Sequence, residues 1–367
     1  MPFDNIYADK TVVITGHTGF KGSWLAAWLS HLGANVVGLS IDLPSNPSHF
    51  VATDMANYIE DNRIDVCDAK LVKQCFKKIQ PDFVFHLAAQ ALVRPSYDSP
   101  LETLTTNAMG TANVLDALRL IEKPVVAIMI TSDKAYDNVE WVWGYRETDA
   151  LGGKDPYSAS KGMAEIVIRS YVESFFNHDN NKIRIGIARA GNVIGGGDWA
   201  KDRIVPDCVK SWAENNVVDI RSPESTRPWQ HVLEPLSGYL TLGSELYKSS
   251  KKHGEAYNFG PSAGQNYSVR NLIDEMSKYW KSVRWNDVSK DSKHAHEAGL
   301  LKLNCDKALF DLQWTPTLIF EETIGMTVQW YKTFYQDRSK SISDVTLRQI
   351  DEYMNLAKKR GLSWMRD

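Results

Sequence analysis

In "DPYSASKGMAE", Tyr157 and Lys161 are four residues apart, which on a helix puts both on one face. A phenol with a pKa of about 10 is a poor base at neutral pH. A neighbouring ammonium stabilises the phenolate and brings it toward the working range. Alone, such a pair is common on exposed helices. A second group adds meaning: "VVITGHTGFKGSW" places Gly16, Gly19 and Gly22 where an apolar run gives way to a helical pattern. Glycine there permits a tight turn, lets a phosphate approach the backbone and lets helix pack closely on strand. The helix start then offers free N–H groups to a pyrophosphate. The pattern predicts a dinucleotide-binding loop. A third group, in "VAIMITSDKAYDN", ends an apolar run with Thr131, Ser132, Asp133 and Lys134. Hydroxyl, acid and amine thus meet where the carboxyl end of a strand opens into a cleft.

These groups need a frame to hold them. "KTVVIT", "NVVGLS", "DFVFHLA", "PVVAIMITS" and "KIRIGIARA" read as strands, apolar enough to be covered on both faces as in a parallel sheet. Between the first two, Trp24, Leu25, Trp28, Leu29 and Leu32 recur at the spacing of an amphipathic helix that Gly33 closes. This alternation predicts an α/β fold, a Rossmann-like doubly wound parallel sheet. Residues 1–190 form the expected dinucleotide-binding domain, its sheet completed by segments near 229–260, where "EAYNFG" reads as a returning strand. Residues 191–335 form a smaller, interleaved substrate-binding region. Residues 336–367 are a helical extension, in which "SDVTLRQIDEYMNLAKKRG" is an amphipathic helix closed by Gly361.

Composition narrows the classes. The 367 residues are 43% hydrophobic and 24% charged with a net charge of −3, so no basic field argues for nucleic acid or an anionic membrane. No apolar run approaches the roughly 18 residues of a membrane span, and the first residues lack the pattern of a secretory signal. Cys67, Cys75, Cys208 and Cys305 are scattered, which fits a reducing cytoplasm. With no Cys/His cluster at ligand spacing, no metal is expected.

The GxxGxxG spacing together with Tyr-xxx-Lys resembles the extended short-chain dehydrogenase/reductase superfamily. Within it, Asp133-Lys134 after Ser132 resembles the nucleotide-sugar 4,6-dehydratases, which usually carry Asp-Glu there. The Ser-Asp-Lys version, with "EWVWGYRETDALGGKDPYSASK", "GHTGFKGSWL" and "HLAAQALVRPSY", is similar to the CDP-glucose 4,6-dehydratases in particular. The resemblance runs from about residue 8 to about 335. It implies a lyase reaction with NAD as cofactor. Tyr157 removes the proton of the sugar's 4-hydroxyl, Lys161 lowers the tyrosine's pKa, and Ser132 positions O4 while C4 gives up hydride. Asp133 then protonates the leaving 6-hydroxyl, Lys134 takes the C5 proton, and hydride returns to C6. For Lys134 two further readings stay open: a charged group that stabilises the enolate, or an ion pair with Asp133 or another acid.

The implied cofactor contacts are Gly16, Thr18, Gly19, Phe20, Lys21 and Gly22 in the loop, Asp65 and Val66 at the adenine, and Leu87, Ala88 and Ala89 beneath the cofactor. Thr131, Tyr157 and Lys161 complete the set. Asp42 is a candidate for the ribose 2′-hydroxyl, favouring NAD over NADP, although Lys21 could welcome a 2′-phosphate. For the nucleotide sugar the candidates are Ser132, Asn192, Arg227 and Asn258, with Arg203 lining the base pocket; His294 and His296 flank that region. Helices around 101–120 and 157–176, the second with Met163, Ile166, Val167, Tyr171 and Phe175 at helical spacing, are expected to pair copies into a homodimer or homotetramer.

Overall fold

The computed structural model describes every residue except 179–180, 263, 282, 290–300, 338 and 367. Seven strands form the central sheet: β1 (Thr11–Thr15), β2 (Asn35–Ser40), β3 (Glu60–Arg63), β4 (Phe83–His86), β5 (Val125–Ile130), β6 (Ile183–Ala190) and β7 (Ala256–Phe259). All neighbours are parallel, in the order 3-2-1-4-5-6-7. The winding reverses between β1 and β4, and a crevice opens there at the carboxyl ends of the strands. The doubly wound sheet expected from the strand pattern is present.

The principal helices are α1 (Phe20–His31), α2 (Ala69–Ile79), α3 (Gly110–Leu118), α4 (Pro156–Tyr171), α5 (Leu233–Lys248), α6 (Phe320–Gln336) and α7 (Ile342–Lys359). Strand alternation divides the core in two. Val12 and Ile14 of β1 face Trp24, Trp28, Leu236 and Tyr239 of α1 and α5, whereas Val13 faces Val72, Val114 and Ile168 of α2, α3 and α4. Each large apolar side chain so buried contributes roughly 1.5–3 kcal/mol.

Helix α1 departs from the amphipathic expectation, since residues 22–29 are buried all round. The sheet covers one side, and α7 with the short turn Ser363–Met365 after it covers the other: the Trp28 ring meets Tyr353 edge-on at 5.6 Å and Trp364 at 6.1 Å. Trp24 donates its indole N–H to the Gly196 carbonyl at 2.9 Å, tying α1 to the smaller region as well. That region hangs from the carboxyl edge of the sheet on short paired segments, Val193–Ile194 with Gln230–His231 and Thr226–Arg227 with Tyr267–Ser268. Among the described residues no helix is long and apolar enough to cross a membrane.

Candidate active site

Strand β5 delivers the central residues. Beyond Ile130 the chain stays extended through Ser132, whose hydroxyl accepts from the Lys134 N–H at 3.2 Å and so starts the short turn Asp133–Ala135. The same hydroxyl donates to Asp133 Oδ1 at 2.9 Å. Facing this turn is α4, begun by Pro156 at its first position and capped by Asp155, which accepts from the Ser158 N–H at 2.9 Å. One turn separates Tyr157 from Lys161, and a further turn leads to Glu165. Ser132, Asp133, Tyr157 and Lys161 are all buried, between 6% and 8% exposed.

Burial shapes their acidities. It pushes the Asp133 carboxyl up, against the opposing pull of Lys134, Ser132 and Lys21. A raised carboxyl suits a general acid. Burial pulls the Lys161 amine down to about 8, with the Glu165 carboxylate working against it. It pushes the Tyr157 phenol up to about 12, opposed by Ser132 and the Arg203 charge. This runs against the expected lowering of Tyr157 by Lys161. The reason is that the phenol is fully enclosed, and burial penalises the phenolate more than the protein's own cations favour it.

The backing of α4 was not legible in the sequence. Arg189, on β6, grips Glu165 with two hydrogen bonds of 2.8 and 2.9 Å in a fully buried ion pair. Thr131 donates to the same carboxylate at 2.5 Å. Arg189 also donates to the Tyr136 hydroxyl at 2.7 Å, which donates to Asn258 Oδ1 at 2.8 Å. Asn258 in turn donates to the carbonyls of Tyr145 and Asn304. With its amide wholly engaged and 0% exposed, Asn258 clamps this network and does not reach the cleft as the resemblance implied.

The glycine loop is built for close approach. A β-carbon on Gly22 would lie 2.1 Å from the Gly16 carbonyl oxygen, and one on Gly16 would lie 2.7 Å from the Ala88 nitrogen. Gly16 also has φ of +77°, a left-handed conformation that favours glycine. No side chain caps α1 at Gly19, so its first-turn N–H groups are free for an anion. The loop therefore fits a dinucleotide. Thr18 donates to the Asp42 carbonyl at 2.6 Å, which brings Asp42 beside the loop with its carboxylate exposed. Asp65, exposed, follows β3, with Val66 buried next to it. Leu87, Ala88 and Ala89 follow β4, where Thr15 holds the Ala88 N–H at 3.2 Å and His86 at 2.7 Å.

Two basic residues sit elsewhere than expected. Lys21 is not at the ribose end: its amine feels Arg203, Asp133 and Lys161, and burial pulls it down to about 8. Arg203, expected at the base pocket, is held by Asp198 at 2.7 Å, where its charge acts on Tyr157 and Lys21. Asn192 is exposed just past Gly191, and Arg227 is half-buried in its short strand. No ion pair joins Lys134 to Asp133, although the Lys134 charge acts on that carboxyl. His294 and His296 lie outside the described residues. No cluster of metal-ligating side chains occurs among the described residues.

The chain is similar to known proteins over nearly its whole length. Residues 13–327 match the family model described as GDP-mannose 4,6 dehydratase. A CDP-glucose 4,6-dehydratase of Salmonella typhimurium is 44% identical, over 96% of this chain and 98% of that one. A dTDP-glucose 4,6-dehydratase of Escherichia coli is 25% identical, over 90% and 95%. Among solved structures, a dTDP-glucose 4,6-dehydratase from Streptomyces venezuelae with NAD bound has a TM-score of 0.71 at 21% identity, covering 90% of this chain and all of that one. A UDP-glucuronic acid 4-epimerase from Bacillus cereus, in complex with UDP-glucuronic acid and NAD, has a TM-score of 0.74 at 23% identity, covering 89% and 100%. These two likenesses bear on the fold, which they share. On the family match and the 44% relative together, this chain belongs to the GDP-mannose 4,6 dehydratase family of nucleotide-sugar dehydratases.

Proposed function

We propose that this protein is an NAD-dependent hydro-lyase that converts CDP-D-glucose to CDP-4-dehydro-6-deoxy-D-glucose and water. The observation that carries the reading is Asp133. It is a buried carboxyl with a raised pKa, adjoining the Ser132, Tyr157 and Lys161 needed for oxidation at C4. An epimerase has no use for an acid there. The choice of cytidine rests on the similarity to the Salmonella enzyme.

Bound at the glycine loop, NAD⁺ supplies reversible hydride acceptance. The protein's residues do the rest. Ser132 orients the 4-hydroxyl, and Tyr157 takes its proton as C4 is oxidised. The nearby cations Lys161, Lys21 and Arg203 offset part of the cost of a buried phenolate. The ketone then acidifies C5–H. Lys134 removes that proton as base, and Asp133 gives its own to the departing C6 oxygen. Asn192 and Arg227 are assigned to the diphosphate. Residues 1–190 with β7 hold the cofactor, 191–335 mainly hold the nucleotide sugar, and 336–367 brace α1.

Purified protein should be offered CDP-, dTDP-, GDP- and UDP-glucose and GDP-mannose and assayed for a 4-keto-6-deoxy product without added reductant. CDP-glucose deuterated at C4 should give product with deuterium at C6. Loss of that label to solvent, or turnover restricted to another nucleotide, would overturn the proposal.

A further inference from the structure

Gln230 belongs to the two-residue strand Gln230–His231 and is 2% exposed. It lines the same cleft as Asp133, between Gly191 after β6 and Gly260 after β7. Its amide nitrogen donates to the Phe259 carbonyl at 3.4 Å, which orients the group and leaves the oxygen as its other end. That oxygen, Oε1, has no hydrogen-bond partner. A bare amide oxygen at this depth is costly unless a donor is brought to it. Glycine at 191 keeps the space beside the acid clear: a β-carbon there would stand 3.1 Å from Asp133 Oδ2.

Chemistry restricts the occupant. Asp133 in its acid form offers a proton, and Gln230 Oε1 can only accept one. A group set between them must accept from the first and donate to the second. A hydroxyl does both, and so does water. We infer that Gln230 is a further catalytic residue, whose Oε1 accepts the hydrogen of the sugar's 6-hydroxyl and then one hydrogen of the water it becomes. The inference rests on the dehydration proposed above. In the elimination the C5–H bond breaks and its proton goes to Lys134. The C6–O6 bond breaks with its electron pair leaving on oxygen, and C5=C6 forms. O6 takes the Asp133 proton, so the water carries that proton and the hydroxyl's original one. As O6 gains positive character its O–H becomes a better donor, and the bond to Gln230 strengthens where the barrier is highest.

The test uses the NAD-loaded enzyme mixed with CDP-glucose, following reduced-nicotinamide absorbance in a single turnover. Gln230→Met keeps the side chain's length and loses the acceptor. Its absorbance should rise within about two-fold of the parental rate, while the decay, which needs elimination, slows about ten-fold or more. KM should stay within a few-fold. With CDP-6-deoxy-6-fluoroglucose, whose leaving fluoride carries no hydrogen, parent and Gln230→Met should decay alike. Gln230→Glu, enclosed and neutral, keeps a carbonyl oxygen and a donor for Phe259; it should recover most of the decay rate with CDP-glucose. A Met variant as fast as the parent, a loss equally large with the fluoro sugar, or a Glu variant as slow as Met would each overturn the assignment. A parent that gives no 4-keto-6-deoxy product would overturn the dehydratase reading and this inference together.

Discussion

The Lys161 amine, pulled down by burial to about 8, gives up its proton more readily than the Tyr157 phenol, which burial pushes up to about 12. One proton must leave the pair before the 4-hydroxyl can be deprotonated. The rate of nicotinamide reduction should therefore rise with pH toward about 8 and then level. Glu165 sustains the Lys161 charge, so Glu165→Gln should move that rise to lower pH, read from stopped-flow traces between pH 6 and 9. A rise that stays in place would remove Glu165 from the electrostatics and leave it only a structural part. Tyr157→Phe should cut turnover by roughly 10²–10⁴ while nucleotide-sugar affinity by calorimetry stays within a few-fold. Asp133→Asn and Lys134→Met act later. Both should still reduce bound NAD⁺ on mixing, and the absorbance should persist while 6-deoxy product forms slowly or not at all. Lys134→Glu should regain activity that methionine does not, if the residue is the C5 base. The parental rate in all three would move the elimination to other side chains.

At the scale of elements, legibility followed apolar pattern. Five of the seven sheet strands announce themselves as apolar runs, and β7 as the short aromatic segment in "EAYNFG". The exception, β3, reads Glu-Asp-Asn-Arg. It is an edge strand, held by main-chain bonds to β2, and asks nothing apolar of its side chains. Gln230 was hidden for a different reason: a two-residue strand has no period to detect. Lys21 was visible as a residue, but not its direction, which depends on how α1 meets the β5 turn. Glu234, at the start of α5, was equally silent. It accepts from the N–H groups of Thr317 and Leu318 and from the Tyr353 hydroxyl at 2.8 Å, joining α5 to α7. Burial outweighs these donors and pushes its carboxyl up from 4.5 to about 7. The folded state thus keeps a proton that the unfolded chain releases. This contribution to stability is complete below pH 4.5 and is lost as pH rises to about 7. Its ceiling is about 3 kcal/mol. Urea melts of Glu234→Gln should lack that part of the decline, and an unchanged pH slope would refute the assignment.

For the whole molecule, the outer side of α4 and the segments before α3 expose apolar residues in excess. Leu101 is 78%, Ile166 61%, Met109 55% and Met163 43% exposed. Such a stripe on a folded chain calls for a partner surface, and a twofold copy of itself is the simplest. We expect a homodimer or a pair of dimers by light scattering at micromolar concentration, and Ile166→Glu with Met163→Glu should yield monomers that keep their melting profile. A monomeric parent would refute this. One more consequence follows from α7 lying over α1. Phe3 stacks on Trp364 with ring centroids 4.9 Å apart, and Trp28 waits for Tyr353. During synthesis the glycine loop and its helix are made long before α7, which covers the back of that helix. The cofactor cradle thus gains its backing late, and a ribosome paused before α7 carries a nascent chain in which Trp28 has not yet met Tyr353.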